Sequence, residues 1–307
     1  MELLFLGTGA GVPSKGRNVS SLALKLLDEL NEIWIFDCGE ATQHQILKTT
    51  LKPRKVTHIF ITHLHGDHIF GLPGFLSSRS FQGGDNEPLT IYGPKGIKGY
   101  VESSLRYSQT KLQYPLKIVE LDSQGGSIAH QGWLIEYLPL KHGVECFGYR
   151  IIEPDKEGEL LVGKLQEYNI PNGPIFGQLK RGEIVTLADG TVLDGKDFIG
   201  QPKAGRVITI LGDTRPNANI DILAKDADVL VHEGTHSQDE AKMAHRYFHS
   251  TVADAAKAAE RNQVKQLYIN HISSRYLAAD VKQLANQAKR IFPESQIVHD
   301  LQQFEVD

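Results

Sequence analysis

The chain has 307 residues, of which 40% are hydrophobic and 23% charged, a composition that provides a large apolar core and excludes a disordered protein. Its two cysteines, Cys38 and Cys146, form no CxxC pair, so the sequence predicts neither a disulfide framework nor a thiolate zinc site. A formal net charge of −4 argues against a uniformly cationic surface, although local clusters of Lys and Arg can still bind RNA. Without a signal-peptide pattern or an apolar stretch of membrane-spanning length, we expect a cytoplasmic protein.

Short apolar runs bounded by turn residues predict β-strands throughout the first half of the chain. The first three runs are closely spaced and predict an antiparallel meander; they are Leu3–Gly9, Ser21–Leu27 and Ile33–Asp37. Two helices are predicted at Asp67–Arg79 and Gly96–Tyr107. The remaining strands predicted in this half are Val56–Thr62, Leu89–Tyr92, Ile118–Leu121, Trp133–Leu140 and Phe147–Ile152.

Residues 154–205 differ in composition, with repeated glycines and Pro-Asn-Gly-Pro at 171–174. We interpret this stretch as an insertion, with short hairpins predicted around Gly182 and Gly190. Strands and helices then resume, as strands Val207–Leu211, Val229–His232 and Gln266–Asn270 and helices Thr251–Asn262 and Asp280–Phe292. Strands interleaved with helices predict an α/β layered fold over residues 1–307, and the similar strand content of the two halves suits a sandwich of two sheets between helices.

Four potential metal ligands follow the fourth predicted strand within six residues: His63, His65, Asp67 and His68. Residues two apart on an extended chain project to the same side, so His63 and His65 can bind one ion together. Gly66 permits a sharp turn that directs Asp67 and His68 towards a second ion. The motif therefore predicts a site for two metal ions.

Three further candidate ligands stand at the ends of later predicted strands: His142, Asp213 and His271. Taken singly, each is more often a hydrogen-bonded residue of the core or surface than a ligand. Together with the motif they complete a set of seven, in which one carboxylate can bridge two ions. Other histidines, including His58 and His130, are interpreted as structural or solvated.

The order and spacing of these residues resemble the metallo-β-lactamase superfamily, and within it the tRNase Z (ribonuclease Z) family. Three features are typical of tRNase Z. The Pro13–Asn18 segment matches the P-x-K-x-R-N loop of its short bacterial form, and His249-Ser250-Thr251 matches its H-S-T motif. Asn172-Gly173-Pro174 lies in an insertion placed like the tRNA-binding arm of the family.

The resemblance implies an αββα sandwich of two mixed β-sheets between helices, with residues 154–205 as a flexible arm that binds substrate away from the active site. It also implies two Zn²⁺ ions per subunit, although other divalent ions could serve. His63, His65 and His142 would hold the first ion, Asp67, His68 and His271 the second, and Asp213 would bridge the two.

The activity implied is that of a zinc-dependent endoribonuclease, which removes the 3′ trailer of precursor tRNA by phosphodiester hydrolysis and leaves a 3′-hydroxyl. Two ions about 3.5–4 Å apart can activate a shared hydroxide as the nucleophile. Asp67 is assigned the additional role of accepting the proton of the attacking water. By resemblance, protonated His249 donates to the leaving oxygen, with Glu233 as its orienting partner.

Candidate RNA-binding residues lie in two places, the Lys15, Arg17 and Asn18 loop and the arm with Gly173, Pro174, Lys180 and Arg181. Residues 155–203 contain six basic and eight acidic side chains, so the role of the arm rests on the resemblance rather than on charge. Shape and backbone contacts are the expected mode for a largely double-helical RNA. The resemblance also implies a homodimer, in which the arm serves the partner subunit.

Three alternatives remain open from the sequence alone. Another superfamily hydrolase, acting on a small phosphodiester, a sulfate ester or a lactam, would use the same metals without needing the arm. An RNA-binding or scaffold protein with an inactive metal site would bind less than one ion per chain. A redox role like that of di-iron relatives fits less well, because the proposed ligands are five histidines and two aspartates.

Overall fold

The computed structural model describes residues 1–83, 86–167, 170 and 173–307. They separate into two compact units, the core unit (Met1–Ile151 with Val207–Asp307) and the insert (Ile152–Arg206). Within the described parts of the chain, no helix combines the length and the apolar character needed to span a membrane.

Strands and helices alternate along the chain. The strands are β1 (Glu2–Gly7), β2 (Gly9–Ala10), β3 (Ser21–Leu26), β4 (Glu32–Phe36), β5 (Val56–Phe60), β6 (Leu89–Gly93), β7 (Leu116–Glu120), β8 (Gly126–His130), β9 (Trp133–Pro139), β10 (Phe147–Ile152), β11 (Ile184–Thr186), β12 (Val192–Asp194), β13 (Val207–Leu211), β14 (Val229–Glu233), β15 (Gln266–Asn270), β16 (Ile272–Ser273), β17 (Ser295–Ile297) and β18 (Gln303–Glu305). The α-helices are α1 (Thr42–Ile46), α2 (Gly66–Ile69), α3 (Leu72–Phe81), α4 (Ile97–Tyr107), α5 (Val162–Gln166), α6 (Pro174–Lys180), α7 (Ala218–Ala224), α8 (Ala241–Arg246), α9 (Val252–Arg261) and α10 (Ala278–Lys289).

Two seven-stranded mixed sheets form the framework of the core unit, with strand orders β18-β1-β3-β4-β5-β6-β7 and β17-β15-β14-β13-β10-β9-β8. In the first sheet β1, β3 and β4 pair antiparallel, as the meander predicted, and β4 to β7 pair parallel. In the second sheet β13, β14, β15 and β17 are parallel. Parallel neighbours end at the same edge of a sheet, so side chains that follow them can meet there.

A hydrophobic core fills the space between the two sheets, and a further core lies on the outer face of each. The central one is rich in aromatic rings, with Trp34 and Phe60 from the first sheet and Trp133 and Tyr149 from the second. Each large apolar side chain buried in this way stabilises the fold by roughly 1.5–3 kcal/mol. Helices α1, α3 and α4 cover the first sheet, and α7, α9 and α10 the second. The predicted αββα sandwich is thereby confirmed.

The helix predicted at Asp67–Arg79 is wrong as a single element, because it is divided into α2 and α3. The division falls at Gly71, whose N–H donates to the carbonyl of Cys38 at 2.9 Å. A Cβ at this position would lie 1.9 Å from the carbonyl oxygen of Gly39. The close backbone contact therefore breaks the helix, which leaves α2 free to present Asp67 and His68 at the end of β5.

The insert has a small hydrophobic core of its own, formed by Leu165, Ile170, Leu179, Val185, Leu193 and Phe198. Strands β11 and β12 form an antiparallel hairpin around Gly190, as predicted. The hairpin predicted around Gly182 is wrong, because Pro174 starts helix α6 and Gly182, with φ +72°, follows the end of that helix. Of the predicted Pro-Asn-Gly-Pro turn, residues 171–172 lie outside the described residues.

The two ends of the insert are joined by Glu153 and Arg206. The N–H of Glu153 donates to the carbonyl of Arg206 at 2.9 Å. The Arg206 guanidinium donates back to the buried Glu153 carboxylate, with Nε to Oε2 at 2.6 Å and Nη2 to Oε1 at 2.9 Å. The paired fork geometry fixes where the chain enters and leaves this unit.

Candidate metal centre

The core unit brings together all seven residues predicted as metal ligands, each just beyond the end of a strand or its following turn. Their ligand atoms form overlapping groups that could hold metal ions, with all atoms of a group within 4.8 Å of one another. The groups include His63, His65 and His142; Asp67, His68 and His271; and His63, His68 and Asp213. We call these seven residues the metal centre.

The first group consists of three imidazoles with one ring nitrogen of each facing the others. His65 Nδ1 lies 3.1 Å from His63 Nε2 and 3.1 Å from His142 Nε2. A proton on His65 Nδ1 can be donated to only one of these two nitrogens at a time. A shared cation satisfies all three lone pairs, which is the arrangement that zinc takes with three histidines.

The second group combines a carboxylate with two imidazoles. Asp67 Oδ2 lies 3.3 Å from His271 Nε2 and 3.5 Å from His68 Nε2. The two imidazole nitrogens are 3.4 Å apart. Although burial by itself raises the pKa of Asp67, the imidazoles of His271 and His68 hold it well below its usual range. Asp67 is therefore ionised, as a metal ligand must be.

A single oxygen of Asp213 faces both groups. Its Oδ2 lies 3.7 Å from His63 Nε2, 3.5 Å from His68 Nε2 and 3.2 Å from His271 Nε2. Gly212 allows this position, because a Cβ there would lie 2.6 Å from the Cβ of Thr62. The donor set thus fits two metal ions that share one carboxylate.

A ring of outer hydrogen bonds orients the imidazoles on the first-sheet side. His68 Nδ1 donates to Asp37 Oδ2 at 2.7 Å. The hydroxyl of Thr62 also donates to Asp37, at 2.8 Å, and accepts from His63 Nδ1 at 3.0 Å. This network assigns a proton to Nδ1 of each ring and leaves Nε2 free for a metal.

The same pattern holds on the second-sheet side. His142 Nδ1 donates to the carbonyl of Phe248 at 3.1 Å. His271 Nδ1 donates to the hydroxyl of Thr235 at 2.8 Å, and that hydroxyl donates in turn to Glu233 Oε2 at 2.6 Å. Thr235 was not predicted from the sequence, and no local pattern distinguishes it from other threonines. It links the catalytic candidate Glu233 to the candidate metal ligand His271.

His249 and Glu233 form the predicted pair, with Nδ1 of the imidazole 2.9 Å from Oε1 of the carboxylate. Glu233 is only 1% exposed and also accepts from the N–H of Thr214 at 3.0 Å. Burial by itself lowers the pKa of His249, but the Glu233 carboxylate raises it to about 9. His249 Nδ1 lies 3.9 Å from Asp213 Oδ2, so a protonated imidazole stands beside the metal centre.

The H-S-T segment holds His249 through its two following residues. Ser250 donates its hydroxyl proton to the carbonyl of Thr214 at 2.6 Å. Thr251 caps α9 in a capping box, in which its hydroxyl accepts from Asp254 N–H and its own N–H donates to the Asp254 carboxylate. Such a cap is worth about 1 kcal/mol and fixes the start of the helix.

A cleft of about 370 Å³ opens over the metal centre. Its walls include the ligands His65 and Asp67, the acid candidate His249, and Arg275, which the sequence did not single out. The N–H of Gly11 lies at the same cleft and donates to Asp67 Oδ2 at 2.8 Å. The opening is large enough for a phosphodiester group to approach both donor groups.

The predicted RNA-binding loop divides into an exposed part and a buried part. Lys15 is exposed and lines a cavity of about 710 Å³ beside α10. Arg17 is buried, and its guanidinium donates to the Thr8 hydroxyl and the Val298 carbonyl, each at 2.6 Å. The prediction that Arg17 contacts a phosphate is therefore wrong, because the donors of its guanidinium point into the core unit. Asn18 also binds inward, with its side chain on the carbonyl of Glu40 at 2.8 Å.

In the insert, the predicted residues lie in and around α6. Gly173 and Pro174 are exposed at the start of the helix, and Lys180 is exposed at its end. Arg181 is exposed but paired with Glu183, with Nε to Oε1 at 2.6 Å. Among these residues, Lys180 is therefore the main positive charge available to a phosphate.

Comparison with known proteins extends the likeness over the whole chain. Residues 1–124 match a family model described as Anti-Pycsar protein Apyc1. The Ribonuclease Z of Lactobacillus acidophilus is 62% identical over 300 residues, covering 98% of this chain and 96% of its own. The chain belongs to the ribonuclease Z family. The Ribonuclease Z of Lactobacillus helveticus is 60% identical over 306 residues, covering 100% of this chain and 98% of its own.

A solved structure agrees with the ribonuclease Z assignment. The short form of human tRNase Z superposes with a TM-score of 0.72 at 27% identity and covers 100% of both chains. The metallo-β-lactamase fold protein YhfI from Bacillus subtilis has a TM-score of 0.67 at 15% identity, which supports the fold alone. The family and the fold predicted from the sequence are both confirmed.

Proposed function

We propose that this ribonuclease Z holds two zinc ions at its metal centre and uses them to cut precursor tRNA. As a member of its family, the chain is an endoribonuclease that removes the 3′ trailer of precursor tRNA by phosphodiester hydrolysis. The observation that carries the two-ion proposal is Asp213, whose Oδ2 faces donor groups on both sides at 3.2–3.7 Å. Bound zinc ions would activate a water molecule and neutralise charge that develops on the phosphate.

Asp67 orients the attacking water. Its carboxylate is fixed by the N–H of Gly11 at 2.8 Å and lines the cleft. The low pKa of Asp67 suits a hydrogen-bond acceptor better than a base that keeps the proton it receives. From the sequence, Asp67 is assigned the role of accepting the proton of the attacking water. We now assign it only the orientation of that water.

His249 supplies the proton to the leaving oxygen. Its imidazole is protonated at neutral pH because the buried Glu233 carboxylate raises its pKa to about 9. With Nδ1 bound to Glu233, the opposite ring nitrogen carries a second proton that can be donated. The product would then end in a 3′-hydroxyl.

The insert serves as the arm that binds tRNA away from the cleavage site. The insert has a hydrophobic core of its own, and Glu153 and Arg206 join its two ends. Both features support a separately folded unit that can reach a distant part of a large substrate. Exposed Lys180, together with Lys15 in the core unit, offers charge for phosphate contacts. Gly173 and Pro174 would present the start of α6 to the RNA backbone.

The enzyme acts as a homodimer in this proposal, as the resemblance to tRNase Z implies. Leu47, Phe70 and Phe81 support it, because they are 68%, 64% and 85% exposed on or beside the helices α1 to α3. Contiguous exposed apolar patches mark interaction surfaces, and we expect these three side chains to form part of one. Light scattering should show a dimer that Leu47→Asp converts to a monomer, whereas Ile222→Asp on α7 leaves it intact. A monomeric wild-type protein would refute the dimer.

One precursor tRNA with a 3′ extension tests the function directly. The purified zinc-loaded protein should release the trailer and leave a product that ends at the discriminator base with a 3′-hydroxyl. Absence of cleavage by the fully loaded protein would remove the proposal.

The role of the insert needs a second experiment. Residues 155–204 are replaced by a short Gly-Ser link, since Glu153 and Arg206 already hold the two ends together. The shortened protein should hydrolyse a small phosphodiester such as bis(p-nitrophenyl) phosphate at the wild-type rate but lose cleavage of precursor tRNA. Equal loss on both substrates would show that the insert acts on the metal centre rather than on tRNA.

A further inference from the structure

A second cluster of potential ligands lies in the core unit, formed by Glu32 at the start of β4, His58 in β5 and His130 at the end of β8. One ligand atom from each lies within 4.8 Å of the others. His58 precedes His63 by five residues, or about 16 Å at the rise of a strand, so this cluster is separate from the metal centre. We call it the inter-sheet cluster, because β8 belongs to the other sheet.

We propose that Glu32, His58 and His130 bind a further divalent transition-metal ion of the zinc type, with the side chain of Gln131 as a fourth ligand. Two imidazoles, a carboxylate and an amide oxygen form a donor set that zinc accepts in tetrahedral geometry. The proposal does not rest on the cleavage reaction.

The spacing of the ligand atoms fits one ion. Ligands about 2.0–2.1 Å from a tetrahedral zinc lie about 3.3–3.4 Å from one another. His130 Nε2 is 3.0 Å from Glu32 Oε1 and 3.1 Å from Oε2. His58 Nδ1 is 3.6 Å from Glu32 Oε2. The metal centre has the same range, from 3.1 Å between His63 and His65 to 3.7 Å between His63 and Asp213.

Gln131 is placed to complete the ligand set. Its Nε2 lies 2.8 Å from Glu32 Oε1 and 3.1 Å from His130 Nε2. In a purely hydrogen-bonded arrangement, His130 Nε2 and Gln131 Nε2 would both donate to the Glu32 carboxylate. Turning the amide over places its oxygen at this position, where a cation satisfies all three groups.

Glu32 is held in place for this role. Its Oε2 accepts from Trp34 Nε1 at 2.9 Å and from the Thr57 hydroxyl at 2.7 Å. The same hydroxyl lies 2.9 Å from His58 Nδ1, and a bound ion would replace that hydrogen bond. The Trp34 ring packs against both histidines, with centroids 5.4 Å from His58 and 5.8 Å from His130. Such outer contacts fix the orientation of metal ligands and exclude competing rotamers.

An ion can reach the site and leave it. Glu32 and His58 are buried, at 8% and 7% exposure, but the side chain of His130 is 25% exposed. The bound ion would join β4 and β5 of one sheet to the end of β8 in the other. Its expected effect is to stabilise the packing of the two sheets in proportion to the free ion concentration.

Counting bound ions tests the proposal. Wild-type protein and His130→Ala are stripped with a chelator, reloaded with Zn²⁺ and desalted, and zinc per chain is measured by mass spectrometry. The wild type should carry one ion more than His130→Ala. His44→Ala provides the matched control, because His44 is an exposed histidine outside both clusters and its loss should leave the count unchanged.

A spectroscopic measurement separates this site from the metal centre. Co²⁺ bound beside Trp34 should quench tryptophan fluorescence in the wild type and in His44→Ala, and the quenching should be lost in His130→Ala. Cleavage of precursor tRNA by His130→Ala should stay within about two-fold of the wild-type rate. Equal zinc content and equal quenching in wild type and His130→Ala would overturn the proposal and leave a hydrogen-bonded network only.

Discussion

The metal centre and the insert differ in how firmly their functional side chains are held. In the metal centre the ligands His63, His68 and Asp213 are at most 3% exposed, and a hydrogen bond fixes the outer nitrogen of each of the two imidazoles. In the insert Lys180 and Arg181 are exposed, and Arg181 is bound to Glu183. In the proposed function, the chemistry is thus organised before the substrate arrives, whereas tRNA recognition by the insert would exchange water and local ion pairs for phosphate contacts.

This difference predicts two kinds of mutational effect. Changes at the metal centre remove interactions needed in the transition state and should lower kcat. Changes in the insert should alter affinity and its salt dependence and leave the hydrolysis of small substrates intact. Each prediction below tests one side of this contrast.

Asp213→Ala should have the largest effect, because it removes the carboxylate oxygen that faces both donor groups. We expect cleavage to fall at least about 10⁴-fold, or about 5 kcal/mol of activation free energy. Zinc content should fall by at least one ion per chain. Asp239→Ala, an exposed aspartate at the start of the segment before α8, serves as the control and should keep both activity and zinc. Full zinc content in Asp213→Ala would show that this carboxylate does not bridge.

The motif around His63 was readable from the sequence because its residues are close in the chain and follow an apolar strand. His142, Asp213 and His271 come from distant strands, so the sequence offered them only as candidates at strand ends, and the resemblance assigned each to an ion. The order of strands in two sheets then places their ends together.

Other parts of the site leave no pattern in the sequence. Thr235 acts through a hydroxyl that joins His271 to Glu233, and any threonine could look the same. His271 itself adopts φ 55°, a left-handed conformation uncommon for a residue other than glycine. Arg17 shows the opposite case, in which a sequence pattern predicts a function that the structure contradicts. It lies in a loop predicted to bind RNA, but its guanidinium donates to groups within the core unit.

Glu233→Gln should change the pH profile of cleavage. The carboxylate raises the pKa of His249 to about 9, so the imidazole is protonated below that pH and loses its proton above it. Cations bound nearby would lower this value, because they disfavour a second positive charge, so the alkaline limb of kcat/KM should lie at or below pH 9. Without the negative charge, burial lowers the pKa, so the limb of Glu233→Gln should move to lower pH by at least about one unit. The rate should fall about 10²-fold at alkaline pH.

Matched measurements decide whether His249 is the group that titrates. His249→Ala should remove the alkaline limb and lower kcat, whereas His245→Ala, an exposed neighbour on α8, should change neither. An unchanged limb in Glu233→Gln would assign the titration to another group.

Thr235→Ala should have an intermediate effect. It removes the hydroxyl that accepts from His271 Nδ1 at 2.8 Å and donates to Glu233 at 2.6 Å. Loss of such an outer contact typically costs about 10–100-fold in metal affinity or activity. Zinc titration of the stripped protein measures it, and Thr235→Ser, which keeps the hydroxyl, should restore most of the affinity. Equal weakening in both variants would mean that the methyl group, rather than the hydrogen bond, matters.

Lys180→Ala should have the smallest effect and the one most specific to the insert. If Lys180 contacts a phosphate as proposed, its removal should weaken binding of precursor tRNA a few-fold and lower the slope of log K against log salt by about 1. Hydrolysis of bis(p-nitrophenyl) phosphate should not change. Lys164→Ala is the matched control, because Lys164 is an exposed lysine of the same unit that donates to the carbonyl of Asp197 at 3.3 Å. If both lysines shift the slope equally, the insert attracts RNA through its overall charge and α6 has no particular role. A shift confined to Lys180→Ala locates the phosphate contact at the end of α6, because the two variants carry the same net charge.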